Sequence, residues 1–256
     1  MLPFFFGSKQ RRLFGAYEPA VRSAGAGAVL LCGSWGMEYT NAHRAMRILA
    51  RRLCAAGFDT LRFDYFGAGD SGGETVDAEL GGWKNDILTA LGELKELSGR
   101  ARIVIVGMRL GATLAVELAP RLPADVESIV LWEPIISGSQ YVKELRDWRS
   151  GHHMRAFDLT MSGASDAAAS ELGGLLVSSS FVHGLNSIDL LSQEIPPAPR
   201  VLTIFSETHN PGFNIRSTSN NSETVTLKAS SPWKDSAEQE EGLPVEIFER
   251  ITEWLR

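Results

Sequence analysis

The residues best spaced for chemistry stand in RIVIVGMRLGATLA, residues 102–115. Gly107-Met108-Arg109-Leu110-Gly111 follows an apolar run and precedes a small-residue helical stretch. A G-x-x-x-G turn between a buried strand and a helix holds its central side chain on a sharp, strained bend at the top of a sheet. Its glycines serve because a Cβ at either position would collide with strand or helix. A serine or cysteine at the centre would be a nucleophile, and the N–H of Leu110 would face a developing oxyanion. The central residue here is Arg109. A guanidinium stays protonated and cannot attack a carbonyl. It can pair with a carboxylate or face an anionic group, and one of these is required, because an unpaired buried guanidinium is costly. Glu133 is the favoured partner, because it ends the apolar run SIVLW and should emerge on the same rim. Glu38 and Glu207 are alternates.

A nucleophile of this kind needs a general base, and in the family that the chain resembles (below) that base is a histidine on the loop after the last strand. That loop, Ala229–Pro244, contains no histidine. His43 lies on an expected helix, where a structural hydrogen bond is its simplest role. His152, His153 and His183 lie in an irregular middle region. His209 follows the run VLTIF beside Glu207, where an acid would ordinarily stand. Glu133, Glu207 and His209 are therefore the remaining acid–base candidates. The loop Cys32-Gly33-Ser34-Trp35-Gly36 follows the first core strand, and its small residues let backbone N–H groups approach a ligand. Gly33, Ser34 and Trp35 are oxyanion-binding candidates on that ground. Ser34 is a poor displaced nucleophile, because no histidine is evidently placed to activate it. Gly67–Gly72 matches G-x-G-x-x-G, but Asp70 would set negative charge beside a phosphate and Gly73-Glu74-Thr75 delays the helix, so a dinucleotide is not expected.

These residues need a scaffold, and the chain supplies one in alternation. Ala28–Cys32, Thr60–Phe63, Arg102–Val106 and Ser128–Trp132 read as buried strands. Between them, Asn41–Ala56, Asp77–Leu97 and Leu110–Leu122 carry helical spacing. That alternation implies parallel βαβ units and a doubly wound α/β sheet. Residues 138–195 break the rhythm with Gly, Ser and Ala clusters and no clean strand, which is the pattern of an inserted cap. Strands at Val201–Phe205 and Glu223–Lys228 and a helix at Val245–Leu255 resume it. The 256 residues are thus expected to form one domain.

At these motifs the chain resembles the α/β-hydrolase superfamily, in its serine aminopeptidase-like group. It is most similar to the exosortase A system-associated hydrolases of the second type. The resemblance rests on PFFFGSKQRRLF (3–14), EYTNAHRAMR (38–47), RFDYFGAGDSG (62–72), GMRLGATLA (107–115), LWEPIISGSQY (131–141) and ELGG (171–174), with Pro232-Trp233 and Trp254-Leu255 near the end. It implies an Asp-x-x-Gly-x-Gly-x-Ser turn at Asp64, Gly67, Gly69 and Ser71, and an arginine at the elbow as a property of that group.

With nucleophile and base both missing, acyl-enzyme chemistry is not expected. The expected role is non-hydrolytic or non-covalent handling of a small-molecule, acyl or glycan-type ligand. An atypical hydrolase or acyltransferase acting on an ester, thioester or amide is one alternative, using water or a relocated residue such as His209. A structural or partner-binding pseudoenzyme is the other. The net charge of -6, with scattered basic residues, argues against nucleic acid. No apolar run is long enough for a membrane span. Two cysteines without metal spacing indicate buried thiols in a reducing cytoplasm, and no metal or cofactor is expected.

Overall fold

The computed structural model describes residues 1–21, 26–151, 169–195, 199–207, 216–217, 221–234 and 242–256. Its centre is an eight-stranded sheet. The strands are β1 (Leu2–Gly7), β2 (Arg12–Glu18), β3 (Gly27–Cys32), β4 (Phe58–Phe63), β5 (Ile103–Met108), β6 (Val126–Trp132), β10 (Arg200–Ser206) and β12 (Ser222–Leu227). Their spatial order is β1-β2-β4-β3-β5-β6-β10-β12. From β4 to β12 every neighbouring pair is parallel, while the β1–β2 hairpin joins β4 antiparallel. The sheet is therefore mostly parallel, as the alternation implies.

Helices cover both faces. On one lie α1 (Gly36–Ala55) and α6 (Val245–Leu255), packed on Val29, Leu31, Val104, Val106, Val130 and Leu202. On the other lie α2 (Leu80–Ser98) and α3 (Leu110–Leu118), packed on Leu30, Ile103, Ile105 and Ile129. Successive residues of one strand thus feed opposite cores, which is why β3 and β5 are apolar throughout and buried along their whole length.

Between β6 and β10 the chain forms α4 (Gly138–Gly151), a hairpin of β7 (Ala169–Leu172) and β8 (Leu175–Ser178), and α5 (Ser179–Asn186). A two-residue β9 (Glu194–Ile195) pairs with β11 (Arg216–Ser217). The expectation of no clean strand in 138–195 is corrected by the β7–β8 hairpin. Its strands are four residues each, too short for alternation to stand out, although Gly173-Gly174 with φ of 59° and 83° marks the turn. His152 and His153 lie outside the described residues.

The N-terminal hairpin was not legible as strands either. It is pinned by Asp86 of α2, 1% exposed, which accepts from Arg11 Nε at 2.5 Å, Arg11 Nη2 at 2.9 Å and the Phe66 N–H at 3.0 Å. Asp86→Ala strands a guanidinium and a backbone donor. The expected loss is about 2–3 kcal/mol, read as a lower midpoint in urea unfolding with an unchanged slope. A loss below about 0.5 kcal/mol, the size of an ordinary surface substitution, would show that the hairpin docks by its apolar side chains alone.

Candidate functional site

The site gathers where β3, β5 and β6 end. Arg109 holds the turn between β5 and α3 at φ 52° and ψ -120°, a conformation that costs an L-residue energy. Its N–H donates to the Trp132 carbonyl at 2.9 Å, so the turn is stapled to β6. Among the described residues Glu133 is the one other non-glycine residue with positive φ, 47°, and its N–H donates to the Ile204 carbonyl. Strain is thus concentrated at the tips of two adjacent core strands.

Both glycines of the turn are sterically required. A Cβ on Gly107 would lie 2.5 Å from the Ala112 Cα. One on Gly111 would lie 2.3 Å and 2.4 Å from the carbonyl oxygens of Cys32 and Gly33. The second contact brings the start of α3, with Leu110 as its first residue, directly against the Gly33-Ser34-Trp35 loop.

The Arg109 side chain is 5% exposed and lies in a network. Its Nε donates to Glu38 Oε1 at 2.8 Å, and the Tyr141 phenol donates to Glu38 Oε2 at 2.9 Å. Glu144 Oε2 lies 3.7 Å from Nη2. The guanidinium carbon sits 5.5 Å from the Tyr141 ring centroid and 5.4 Å from that of Trp233. Burial works against the charge, but Glu38, Tyr141 and Glu133 together outweigh it and hold the guanidinium above its ordinary pKa. Burial, reinforced by the adjacent Glu38 carboxylate, drives the Tyr141 phenol well above its usual range.

The favoured pairing with Glu133 is therefore corrected. Glu38 takes the hydrogen bond, from the first turn of α1. Glu133 is fully buried, and its Oε1 accepts from the Ser206 N–H at 2.7 Å, which turns the carboxylate toward β10. It acts on Arg109 through its charge. Glu207 is exposed and makes no ion pair with Arg109, and His209 lies outside the described residues. Tyr141 and Glu144 were missed. They stand three residues apart on α4, one helical face, and that spacing was the available signal.

A second group lies beside the first. Ser34 is 2% exposed, and its Oγ has no hydrogen-bond partner among the described residues. It lines a cavity of about 230 Å³ together with Trp35, Gly36, Tyr65, Ala68 and Leu175. It also lines a smaller one, of about 70 Å³, with His43, Met46, Arg62 and Asp70. Tyr39 and Asp64 border both. The Tyr39 phenol donates to Asp64 Oδ1 at 2.8 Å, and the Asp70 N–H donates to Oδ2 at 2.9 Å. Burial still leaves the Asp64 carboxyl above the ordinary range. The Asp64–Ser71 turn forms as the resemblance implies, with Gly67 at φ 78°, Gly69 at φ 57° and Ser71 Oγ donating to the Asp64 carbonyl at 2.6 Å. Trp35 is buried against Trp83 and Phe181. No cluster of metal-ligating side chains occurs among the described residues.

The sheet order, the two helical layers and the strained turn define an α/β-hydrolase fold. Solved structures agree. A soluble variant of monoglyceride lipase from Saccharomyces cerevisiae matches with a TM-score of 0.69 at 14% identity, over 100% of this chain and 95% of that one. Est1E from Butyrivibrio proteoclasticus, with ferulic acid bound, matches at 0.65 and 15% over 98% and 96%. Mouse alpha/beta hydrolase domain-containing protein 10 matches at 0.63 and 16% over 100% and 98%. Residues 37–172 match the serine aminopeptidase S33 family, and the chain belongs to it. It is also 30% identical over 95 residues to the human mitochondrial palmitoyl-protein thioesterase ABHD10. That match spans 37% of this chain and 29% of the relative. These findings correct the expectation of a non-hydrolytic ligand-handling protein: the family is one of peptidases, and the relatives are hydrolases by name. No helix among the described residues is long and apolar enough to cross a membrane.

Proposed function

We propose that the chain is an atypical hydrolase that cleaves an acyl ester, thioester or amide, or transfers its acyl group. The observation that carries this reading is the contact between Gly111 and the Cys32 and Gly33 carbonyls. It packs the start of α3, whose first residue is Leu110, against the main chain at Cys32 and Gly33, where the Gly33–Trp35 loop begins. Two backbone segments brought together this way supply donors to the oxygen of an acyl carbonyl as it takes on charge. The cavity beside them is walled by Trp35, Phe63, Ala68 and Leu175, which suits the apolar part of an acyl group.

In this reading Arg109 stands where the fold ordinarily places its nucleophile. Its pairing with Glu38 fills that position, so attack must come from elsewhere. The triad is degenerate in the sense that the serine is displaced. The described parts of residues 138–195 serve as a cap, because Leu175 of β8 reaches the cavity from them. The substrate is a small molecule carrying an acyl group. Placement in the exosortase-associated group follows from the motifs quoted above, and placement in the cytoplasm from the two buried free thiols, Cys32 and Cys54.

The test is turnover by the purified chain of p-nitrophenyl esters and of acyl thioesters with a thiol-release readout, each over a range of acyl lengths. Steady turnover of at least one substrate above a protein blank is expected. No turnover of any of them would overturn the proposal.

A further inference from the structure

We propose that Ser34 is the nucleophile, relocated from the turn before α3 to the turn before α1. The inference rests on the hydrolase reading and names the group that reading leaves open. A buried hydroxyl without a partner costs about 1–3 kcal/mol, and among the described residues Ser34 shares that state with Tyr65, Ser128 and Thr203. Ser34 bears that cost at the edge of two cavities, where a ligand atom would relieve it.

Its place in the fold supplies the remaining parts. Ser34 stands two residues before a 20-residue helix whose N-cap, Trp35, offers no side-chain hydrogen bond. No side chain caps the first N–H groups of α1 among the described residues, and Gly36 and Met37, which carry two of them, line the larger cavity. These N–H groups and the helix dipole add to the donors of Leu110 and the Gly33–Trp35 loop in favouring negative charge on an acyl oxygen. The one acidic side chain of that first turn, Glu38, is turned away and engaged by Arg109 and Tyr141. Arg109 is thus a positioning residue that keeps a carboxylate off the oxyanion site.

His43 lines the smaller cavity with Ser34, and its ring packs edge-on against Tyr39 at 5.9 Å between centroids. Ser34 Oγ is not hydrogen-bonded to this imidazole in the structure, so the two must come into reach, directly or through one water, when substrate binds. In the first step His43 takes the Oγ proton, Oγ bonds to the acyl carbon, and the bond from that carbon to the leaving oxygen, sulfur or nitrogen breaks. The leaving group departs with the proton from His43. In the second step water loses a proton to His43 and bonds to the acyl carbon. The Oγ–acyl bond breaks, and the proton returns to Ser34. One water is consumed, and one acid and one alcohol, thiol or amine are released.

The test uses the full chain, a fluorophosphonate probe with peptide mapping, and turnover of the best ester or thioester. A single adduct on Ser34 is expected. Ser34→Ala should lose it and reduce turnover at least about 100-fold, with an unchanged or higher melting temperature, because an unsatisfied hydroxyl has gone. His43→Ala should reduce turnover by roughly 10²-fold or more, and Leu110 and Arg109 peptides should stay unmodified. Turnover that survives Ser34→Ala within about threefold, or an adduct elsewhere, would overturn the assignment and leave the hydrolase reading standing. An adduct on Ser34 without turnover of any substrate would support the nucleophile and sink the hydrolase reading.

Discussion

Gly111→Ala is expected to cost at least about 4 kcal/mol, a size that marks overpacking against parts that cannot yield. The added methyl would lie 2.3 Å from the Cys32 carbonyl oxygen and 2.4 Å from that of Gly33. Both are main-chain atoms, the first on the last residue of β3, which pairs with Gly107 of β5, and the second on the residue that follows it. No rotamer change relieves the clash, so α3 must lift from the sheet or β3 must bend. For a chain of this length the loss corresponds to a fall in melting temperature of roughly 8–16 °C. The matched control is Gly92→Ala, in the exposed interior of α2, where a Cβ meets nothing within 4 Å. There the lower entropy of the unfolded chain should raise stability by about 0.4–1 kcal/mol. Thermal unfolding followed by circular dichroism reads both. A Gly111→Ala chain that melts with the parent would mean that the two loops are not in contact, and the proposed oxyanion site would go with them.

The parts of this molecule that were legible in the sequence are those with one physical cause. The parallel core was readable from AVLLC, RIVIV and SIVLW, because strands buried on both faces must be apolar throughout. The α3 turn was readable from two glycines whose absent side chains serve steric ends. The β1–β2 hairpin was not, since PFFFG and RLFGAYE lack the alternation of a half-buried strand. Phe5 is half exposed, and Arg12 covers its ring at 4.4 Å. The ion pairing was half readable. Direction of chain suggested Glu133 for Arg109, but positive φ at Glu133 swings its carboxylate to the Ser206 N–H, which no spacing rule reports. Glu38 won because α1 begins over the same edge of the sheet and points its first turn inward. Ser34 shows the deepest limit. Its loop marked Ser34 as a candidate but supplied no histidine beside it, and its burial without a partner among the described residues, at the edge of two cavities, shows only in the structure.

Replacing Arg109 with serine is expected to destabilise the chain by about 3 kcal/mol and to give no faster turnover of any acyl substrate. Breaking a buried pair by removing one partner costs roughly 3–5 kcal/mol, and the low end applies because the Glu38 side chain keeps 12% exposure. The variant leaves Glu38, among the described residues, with the Tyr141 phenol as its remaining hydrogen-bond partner. It also removes the stem and planar head that lie between the Tyr141 and Trp233 rings. The backbone gives nothing back, since serine at φ 52° is as strained as arginine. A melting temperature lower by roughly 6–12 °C is the expected reading. Arg109→Ser combined with Glu38→Gln should recover part of the loss, because the stranded carboxylate becomes a neutral amide. A coupling of about 1–3 kcal/mol between the two positions would locate the cost in the pair itself. Arg109→Lys should fail to restore the parent value, as an ammonium cannot place a donor where Nε stands while remaining between two rings. No serine hydrolase is created by Arg109→Ser, because the loop after β12 carries no histidine in residues 229–244. A variant that melts within about 1 °C of the parent would show that the guanidinium is dispensable to the fold. A variant that instead gains turnover would return the nucleophile to the turn before α3 and remove the reason for placing it at Ser34.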